Sequence, residues 1–205
     1  MNITVFGASG GTGIELVKQA ADQGHLIKAF VRTPSKFPFK TEPAIEMIHG
    51  NALDRSAVNQ AVKGSDAVIS CLGADGLNKT TALSDMTSNI LEAMKESGIQ
   101  RLGYVASAGI DREIPGLRGK MAAFFLRNVL DDHRKAAELM KESGMEWTIA
   151  RPMRLMDEPL TGVYRTSLES VPENGQKISR ADVAHFILSS IQNHTFIRKS
   201  VGLAY

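Results

Sequence analysis

Near its start the chain reads Ile3-Thr4-Val5-Phe6-Gly7-Ala8-Ser9-Gly10-Gly11-Thr12-Gly13. The apolar run at residues 3–6 is typical of a buried strand, and the residues that follow the last glycine, as far as Gln23, have a helical pattern. The glycines are spaced GxxGxxG, one residue longer in the first gap than the GxGxxG pattern of dinucleotide-binding loops. A glycine-rich turn between a strand and a helix predicts the start of a βαβ unit.

The chemistry of this loop indicates a phosphate-binding site. Gly7 would allow the tight turn, Gly10 would let the backbone approach a pyrophosphate, and Gly13 would let the helix pack close to the sheet. The helix N-terminus offers unpaired N–H groups and a partial positive charge to phosphate. Because glycine-rich turns are common, the alternative is a turn that binds no ligand. We expect a dinucleotide to be bound here by Gly7, Ser9, Gly10, Gly11, Thr12 and Gly13.

Apolar runs and helical patterns alternate along the rest of the chain. Strands are predicted over residues 26–31, 44–48, 67–71, 102–107 and 146–150, and helices over 54–62, 80–97, 120–142 and 182–192. Asp54 and Ser179 are the expected N-caps of two of these helices. This alternation indicates right-handed βαβ units and a parallel sheet. We expect an α/β fold with a Rossmann-type, doubly wound parallel sheet, forming one domain over residues 1–205 with a small C-terminal region on the substrate side.

The end of the second strand indicates which nicotinamide cofactor would bind. An NAD site usually has an acid there to hold the ribose 2′-hydroxyl, whereas this strand ends Ala29-Phe30-Val31-Arg32. Arg32 and Lys36 could hold a 2′-phosphate, the first through its fork of donors and the second as a point charge. The alternative is a solvated basic loop. We expect NADP to be the cofactor.

Two further loops follow strands and would face the same ligand. The third strand leads into Asn51, Ala52 and Leu53, where the adenine would lie, and Asn51 could hydrogen-bond it. The fourth leads into Cys71, Leu72 and Gly73, where small residues would let the cofactor ribose approach. Either loop could equally be an ordinary turn.

Composition excludes several classes of protein. The chain has 205 residues, 43% of them hydrophobic, and a formal net charge of +2, which suits one globular domain and gives no nucleic-acid-binding footprint. A lone cysteine favours a reducing compartment. The sequence shows neither a membrane-spanning apolar run nor a signal-peptide pattern, so a cytoplasmic location is expected. The histidines have no metal-ligand spacing, and no metal site is expected.

Several stretches together resemble a known family. They are the glycine loop, Val31-Arg32, Gly50-Asn51-Ala52-Leu53, Tyr104-Val105-Ala106-Ser107, residues 143–152 and Ile178-Ser179-Arg180-Ala181-Asp182-Val183-Ala184-His185-Phe186. The chain resembles the atypical short-chain dehydrogenases with an NAD(P)H-binding domain, and within them the biliverdin reductase B or NADPH-dependent flavin reductase group. This resemblance implies an NADPH-dependent reductase. Arg154 stands where that group has a histidine, and residues 107–133 form a longer stretch here.

The proton donor of most short-chain dehydrogenases is missing. They use a Tyr-x-x-x-Lys pair, and none occurs in this sequence. Aligned on the resemblance, Val129 stands at the tyrosine position and His133 at the lysine position. Reduction of a carbonyl leaves an alkoxide that needs an acid, whereas a flavin can take its proton from solvent. The sequence therefore favours flavins, quinones, tetrapyrroles or similar conjugated acceptors as the small-molecule substrate.

Three residues are the catalytic candidates, and each has a structural alternative. Ser107 ends the fifth strand and could orient the nicotinamide, or cap a turn. His133 could titrate near neutral pH and hold phosphate or donate a proton, or lie on a helix surface. Arg154 could hold an anionic substrate group, or be solvated. Ser107, His133 and Met153 are also expected beside the cofactor.

The segment Ile114–Leu126 contains glycines and Phe124 and Phe125. It could form a lid over a flat substrate, although phenylalanines at this spacing are more often core residues. The resulting expectation is an NADPH-dependent reductase. The alternative is a non-catalytic NADP(H) sensor of the NmrA-like type, and an epimerase or dehydratase of nucleotide sugars is disfavoured because it needs the Tyr-Lys pair.

Overall fold

A computed structural model describes residues 1–39, 41–114 and 116–205. The strands are β1 (Asn2–Phe6), β2 (Leu26–Val31), β3 (Ile45–His49), β4 (Ala67–Ser70), β5 (Arg101–Val105), β6 (Glu146–Pro152), β7 (Arg154–Met156), β8 (Arg165–Ser167), β9 (Lys177–Ser179) and β10 (Lys199–Ala204). The α-helices are α1 (Gly11–Asp22), α2 (Arg55–Val62), α3 (Ala82–Glu96), α4 (Gly116–Phe125), α5 (Arg127–Glu142) and α6 (Arg180–Gln192).

The main sheet has the strand order β3-β2-β1-β4-β5-β6-β10-β8. Every pair in it is parallel except β8 with β10, and β7 and β9 form a separate parallel pair. Strand order reverses between β1 and β4, so the loops after these strands border the same crevice. The Rossmann-type doubly wound sheet predicted from the sequence is confirmed.

Apolar side chains cover both faces of this sheet. One buried cluster includes Leu16 of α1 and Ile187 of α6, and the other includes Val58 of α2, Ile90 of α3 and Met140 of α5. Helices on both faces explain why the central strands read as continuous apolar runs rather than alternating ones. Because helices pack on both of its faces, the sheet is a rigid base for the loops at its carboxyl edge.

The predicted helix caps are confirmed. Asp54 Oδ1 accepts hydrogen bonds from the N–H groups of Ser56 and Ala57 at 2.9 and 3.3 Å, and Ser179 Oγ accepts one from the N–H of Asp182 at 2.9 Å. Short polar side chains satisfy N–H groups that the first helical turn leaves without a partner. These local rules were sufficient to place both helix starts.

Two features of the architecture differ from the prediction. The single helix expected over residues 120–142 is two helices, because Leu126 leaves helical geometry with φ −98° and ψ 7°. The strands after β6 were not predicted: β10 and β8 extend the main sheet, and β7 and β9 form a separate pair. Three of them are only three residues long, too short for their pattern to stand out in the sequence. Among the described residues, no helix has the length and apolar character to cross a bilayer.

A buried carboxylate on α5 caps α3. Asp132 is 1% exposed, and its oxygens accept hydrogen bonds from the N–H groups of Leu83 and Ser84, both at 3.0 Å, and from the Ser84 hydroxyl at 2.7 Å. A negative charge at a helix N-terminus is stabilised by the unpaired N–H groups and the helix dipole. This contact fixes the end of the loop that runs from β4 along the crevice to α3.

Replacing Asp132 by alanine should destabilise the fold. Asp132→Ala leaves buried N–H donors without a partner and should lower the free energy of unfolding by about 2–4 kcal/mol. The control is Asp131→Ala on the same helix, where an exposed carboxylate pairs with Arg134 and the loss should be about 0.5 kcal/mol or less. Urea unfolding of both variants measures the difference. Equal losses would mean that the cap contributes little.

Candidate active site

The loops after β1 and β4 pack against one another at the centre of the crevice. The Cys71 N–H donates to the carbonyl oxygen of Phe6 at 2.9 Å, and a Cβ on Gly7, whose φ is +73°, would lie 2.6 Å from the Cys71 carbonyl oxygen. A Cβ on Gly13 would lie 2.2 Å from the carbonyl oxygen of Gly7. Gly7 and Gly13 are therefore required by this packing, which keeps the N-terminus of α1 close to the crevice.

Two cavities meet at this point. The smaller, about 380 Å³, lies over β1, β2 and β3, and the larger, about 1140 Å³, extends towards β5, β6 and α5. Four residues line both cavities: Gly10, Cys71, Leu72 and Gly73. A continuous groove of this kind, with the N-terminus of α1 at its middle, suits a dinucleotide whose pyrophosphate lies at that N-terminus.

The structure brings almost all the predicted site residues into this groove. The smaller cavity is bordered by Gly7, Ser9, Gly10, Arg32, Lys36, Asn51, Ala52, Leu53, Cys71, Leu72 and Gly73. The larger is bordered by Gly10, Gly11, Thr12, Ser107, His133, Met153 and Arg154, besides its share of the β4 loop. Gly13 borders neither cavity, and its part is the packing described above.

An acidic residue from another loop, Asp75, contacts Arg32 at the end of β2. Arg32 donates two hydrogen bonds to Asp75, from Nη1 to Oδ2 at 2.5 Å and from Nη2 to Oδ1 at 3.1 Å. The hydrogen bonds from Arg32 hold the pKa of Asp75 below its usual value, with a contribution from the charge of Lys36. Residues 29–36 contain no acid, and the carboxylate beside Arg32 comes instead from the loop after β4, which the strand-end pattern could not predict.

Asn51 is tied into its own turn. Its side-chain oxygen accepts a hydrogen bond from the N–H of Leu53 at 3.1 Å, and its carbonyl oxygen accepts one from the N–H of Asp54 at 2.8 Å. This is the turn alternative that the sequence left open. The turn holds residues 51–53 along the smaller cavity, and an adenine contact by Asn51 stays a prediction.

Cys71 borders both cavities, and its thiol is protonated at neutral pH. Burial raises the pKa of its thiol to about 12, so the sulfur stays protonated. Its part in the site is to be small and apolar where the two loops meet.

His133 is buried and neutral, which corrects the expectation that it titrates near pH 7. It is 5% exposed, and its Nδ1 shares a hydrogen bond of 2.8 Å with the hydroxyl of Tyr104. Burial lowers the pKa of His133 to about 4, against the opposing charge of Asp132. A neutral imidazole cannot attract phosphate as a cation, so its ring is better suited to position Tyr104 and the cavity wall.

Ser107 and the segment after it are held by hydrogen bonds within the loop. The Ser107 hydroxyl donates to the carbonyl oxygen of Ala108 at 3.1 Å. Further along, Glu113 accepts hydrogen bonds from the N–H groups of Gly109 and Asp111, both at 3.0 Å, and from Arg151 Nη1 at 2.5 Å. Arg151 and Glu113 are 1% and 3% exposed. This buried ion pair connects the loop to β6, and no pattern in the sequence predicts that the two residues pair.

Arginines dominate the charge around the larger cavity. It is lined by Arg112, Arg127, Arg134, Arg154 and Arg180, and Asp131 is the one acidic residue among the described residues that line it. Asp131 pairs with Arg134, and Arg180 pairs with the exposed Asp157. Sequence reasoning found only Arg154 of this set, because the others lie on segments that the fold brings together from distant positions.

The proposed lid segment borders the larger cavity through Ile114, Gly119 and Leu126. Phe124 and Phe125 are 66% and 65% exposed, so the core alternative for them is wrong. Pro115, in the same segment, lies outside the described residues. The helix α4 borders the cavity at Gly119, and its two aromatic rings are largely in solvent.

The buried histidine should make stability depend on pH. Between about pH 6.5 and pH 4 the unfolded chain binds a proton at His133 that the folded chain does not, so the free energy of unfolding should fall by about 2–3 kcal/mol as the pH falls through this window. His133→Gln should flatten this dependence. Urea unfolding at several pH values measures it, with His49→Gln at an exposed histidine as control. An unchanged slope in His133→Gln would show that the imidazole is not the group responsible.

The chain is similar to known NAD(P)H-binding proteins over almost its whole length. The family model for NAD(P)H-binding proteins matches residues 7–194. An uncharacterized chloroplastic protein of Arabidopsis thaliana is 28% identical over 200 residues, which cover 92% of this chain and 71% of that protein. The photosystem II assembly factor Ycf39 of Synechocystis is 24% identical, and its alignment covers 98% of this chain but 61% of its own length.

Solved structures share the fold. A short-chain dehydrogenase/reductase of Veillonella parvula in complex with NADP superposes with a TM-score of 0.87 at 22% identity, over 100% of this chain and 94% of that one. ChuY, an anaerobilin reductase of Escherichia coli O157:H7, superposes with a TM-score of 0.80 at 22% identity, over 100% and 97% of the two chains. The family match extends from the glycine loop to the end of α6, and by this match the chain belongs to the NAD(P)H-binding family of Rossmann-fold proteins.

Proposed function

We propose that this protein is an NADPH-dependent reductase of a flat, conjugated, anionic acceptor, such as a flavin nucleotide or a tetrapyrrole. The observation that carries the proposal is the groove itself. A cofactor-sized channel leads past the glycine loop into a cavity of about 1140 Å³ that is lined by arginines and apolar side chains. The sequence has no Tyr-x-x-x-Lys pair that could protonate a carbonyl.

The residues of the smaller cavity fit an NADP adenosine. Gly73 has open space where a Cβ would lie, and the N-terminus of α1 begins at Gly11 with no acidic residue in its first turn. Arg32 and Lys36 border the same cavity as Ser9, so a 2′-phosphate bound there would be near two cations. Bound NADPH would supply a hydride at the junction with the larger cavity.

The residues of the larger cavity suit an acceptor that needs positioning more than acid catalysis. The Ser107 hydroxyl is directed to a backbone carbonyl, and the His133 imidazole is neutral and shared with Tyr104. A conjugated acceptor can take its proton from solvent once the hydride has been transferred, so these groups need only hold the two rings in contact. The roles of Ser107, His133 and Arg154 are proposals on this basis.

The charge of the cavity favours an anionic acceptor. Arg112, Arg127 and Arg154 lie around it with few acidic neighbours, and arginine binds carboxylate and phosphate through paired N–H groups. Carboxylates of a tetrapyrrole or the phosphate of a flavin nucleotide would be bound in this way. The shared fold with an anaerobilin reductase is consistent with the first of these, and the nearer likeness to the biliverdin reductase B group stays a prediction.

A second candidate is a non-catalytic NADP(H) sensor. The lack of an acid in the cavity favours this candidate as well. The Ser107 hydroxyl donates to a backbone carbonyl oxygen, and the His133 imidazole is hydrogen-bonded to Tyr104, so neither presents an available acid. A sensor would bind NADPH tightly and would not oxidise it with any acceptor. Turnover therefore separates the two candidates.

Arg32→Ala should weaken NADPH binding selectively. Loss of a hydrogen bond to a charged phosphate should cost about 1.5–3 kcal/mol of NADPH binding and leave NADH binding nearly unchanged. Isothermal titration calorimetry of both cofactors against both proteins measures this. Equal affinity of the parent protein for NADPH and NADH would contradict the assignment of NADP.

The acceptor proposal is tested by NADPH oxidation with FMN, riboflavin, a quinone, biliverdin and a simple ketone. We expect turnover with FMN or biliverdin and little with the ketone. Arg154→Ala should lower kcat/KM for FMN about tenfold more than for riboflavin, which has no phosphate. Lys95→Ala, an exposed lysine in the last turn of α3, is the control. Fast ketone reduction would mean that the cavity contains a proton donor other than a Tyr-x-x-x-Lys pair, and tight NADPH binding without turnover would favour the sensor.

A further inference from the structure

The pair formed by Arg32 and Asp75 lies where the sequence predicts the cofactor's 2′ group. Arg32 follows β2 and Asp75 lies in the loop after β4, and both border the smaller cavity together with Ser9 and Lys36. Both guanidinium nitrogens of Arg32 that face Asp75 donate to its carboxylate, at 2.5 and 3.1 Å. The carboxylate therefore occupies the same fork of donors that a phosphate would need.

We propose that Asp75 is a specificity-determining residue, whose carboxylate competes with the cofactor's 2′-phosphate for Arg32 and so narrows the preference for NADPH over NADH. This inference rests on the proposed binding of NADP in the smaller cavity. It gives the loop after β4 a part in cofactor choice, whereas the sequence predicts that choice from the end of β2 alone.

The competition follows from charge. For NADPH to bind through Arg32, Asp75 must give up both hydrogen bonds and then face a phosphate of like charge. For NADH no such exchange is needed, because the ion pair can persist and a carboxylate can accept a hydrogen bond from a ribose 2′-hydroxyl. Asp75 thus weakens the binding of NADPH and leaves the binding of NADH unchanged or stronger.

The exposure of the pair makes the exchange possible. The side chains of Arg32 and Asp75 are 65% and 75% exposed, and an ion pair of this kind contributes little to stability. Breaking it costs little, so the effect of Asp75 is to adjust the cofactor preference rather than to block NADPH. Lys36 borders the same cavity and adds positive charge near Asp75.

The test compares Asp75→Asn with the parent protein by calorimetric titration of NADPH and NADH at one ionic strength. We expect Asp75→Asn to bind NADPH about three- to tenfold more tightly and NADH with about the same affinity. Asp22→Asn, at an exposed aspartate at the far end of α1, changes the net charge equally and should leave both affinities unchanged. Thermal unfolding checks that both variants are folded.

A second comparison shows whether Asp75 acts through Arg32. In an Arg32→Ala background the gain from Asp75→Asn should be markedly smaller, since no fork of donors remains to be contested. An equal gain in both backgrounds would overturn competition for Arg32. Unchanged or weaker NADPH binding by Asp75→Asn would overturn the proposal as well.

Failure of the proposed function gives a different result. If Arg32→Ala leaves NADPH binding unchanged in the parent protein, the 2′-phosphate does not bind at Arg32 and the NADP assignment fails. If Arg32→Ala weakens NADPH binding while Asp75→Asn changes nothing, the NADP site stands and only the part assigned to Asp75 fails.

Discussion

The contact between the loop after β1 and the loop after β4 is the constraint on which the rest of the site depends. The Cys71 N–H reaches the carbonyl oxygen of Phe6, and there is no room for a Cβ at Gly7 or Gly13. This contact brings the N-terminus of α1 to the middle of the groove, and it makes the two cavities continuous. Apart from Gly13, every residue proposed to contact the cofactor borders one of the two cavities that meet at this point.

The fold could be predicted from the sequence because its signals are local. Asp54 and Ser179 mark helix starts through hydrogen bonds that span two or three residues, and the apolar runs of β1 and β4 are buried on both faces. The break at Leu126 carried no glycine or proline to mark it. The strands β7, β8 and β9 are too short to have a recognisable period.

The candidate site could be predicted only in part, because sequence signals are local and several of its contacts are not. Residues that directly follow strands, such as Ser9, Asn51 and Ser107, were placed correctly around the groove. Contacts across the fold were missed: Asp75 is 43 positions from Arg32, and Glu113 is 38 positions from Arg151. The protonation state of His133 could not be predicted from the sequence either, because burial in the folded protein lowers its pKa against the charge of Asp132.

The buried pair of Arg151 and Glu113 has a consequence for how such a protein can change. It anchors the segment between β5 and α5 to β6, and Ile114, Gly119 and Leu126 beyond it border the larger cavity and not the smaller one. Insertions and deletions beyond the anchor can therefore reshape the larger cavity while the residues that line the smaller cavity stay in place. The two halves of the groove are then open to independent engineering.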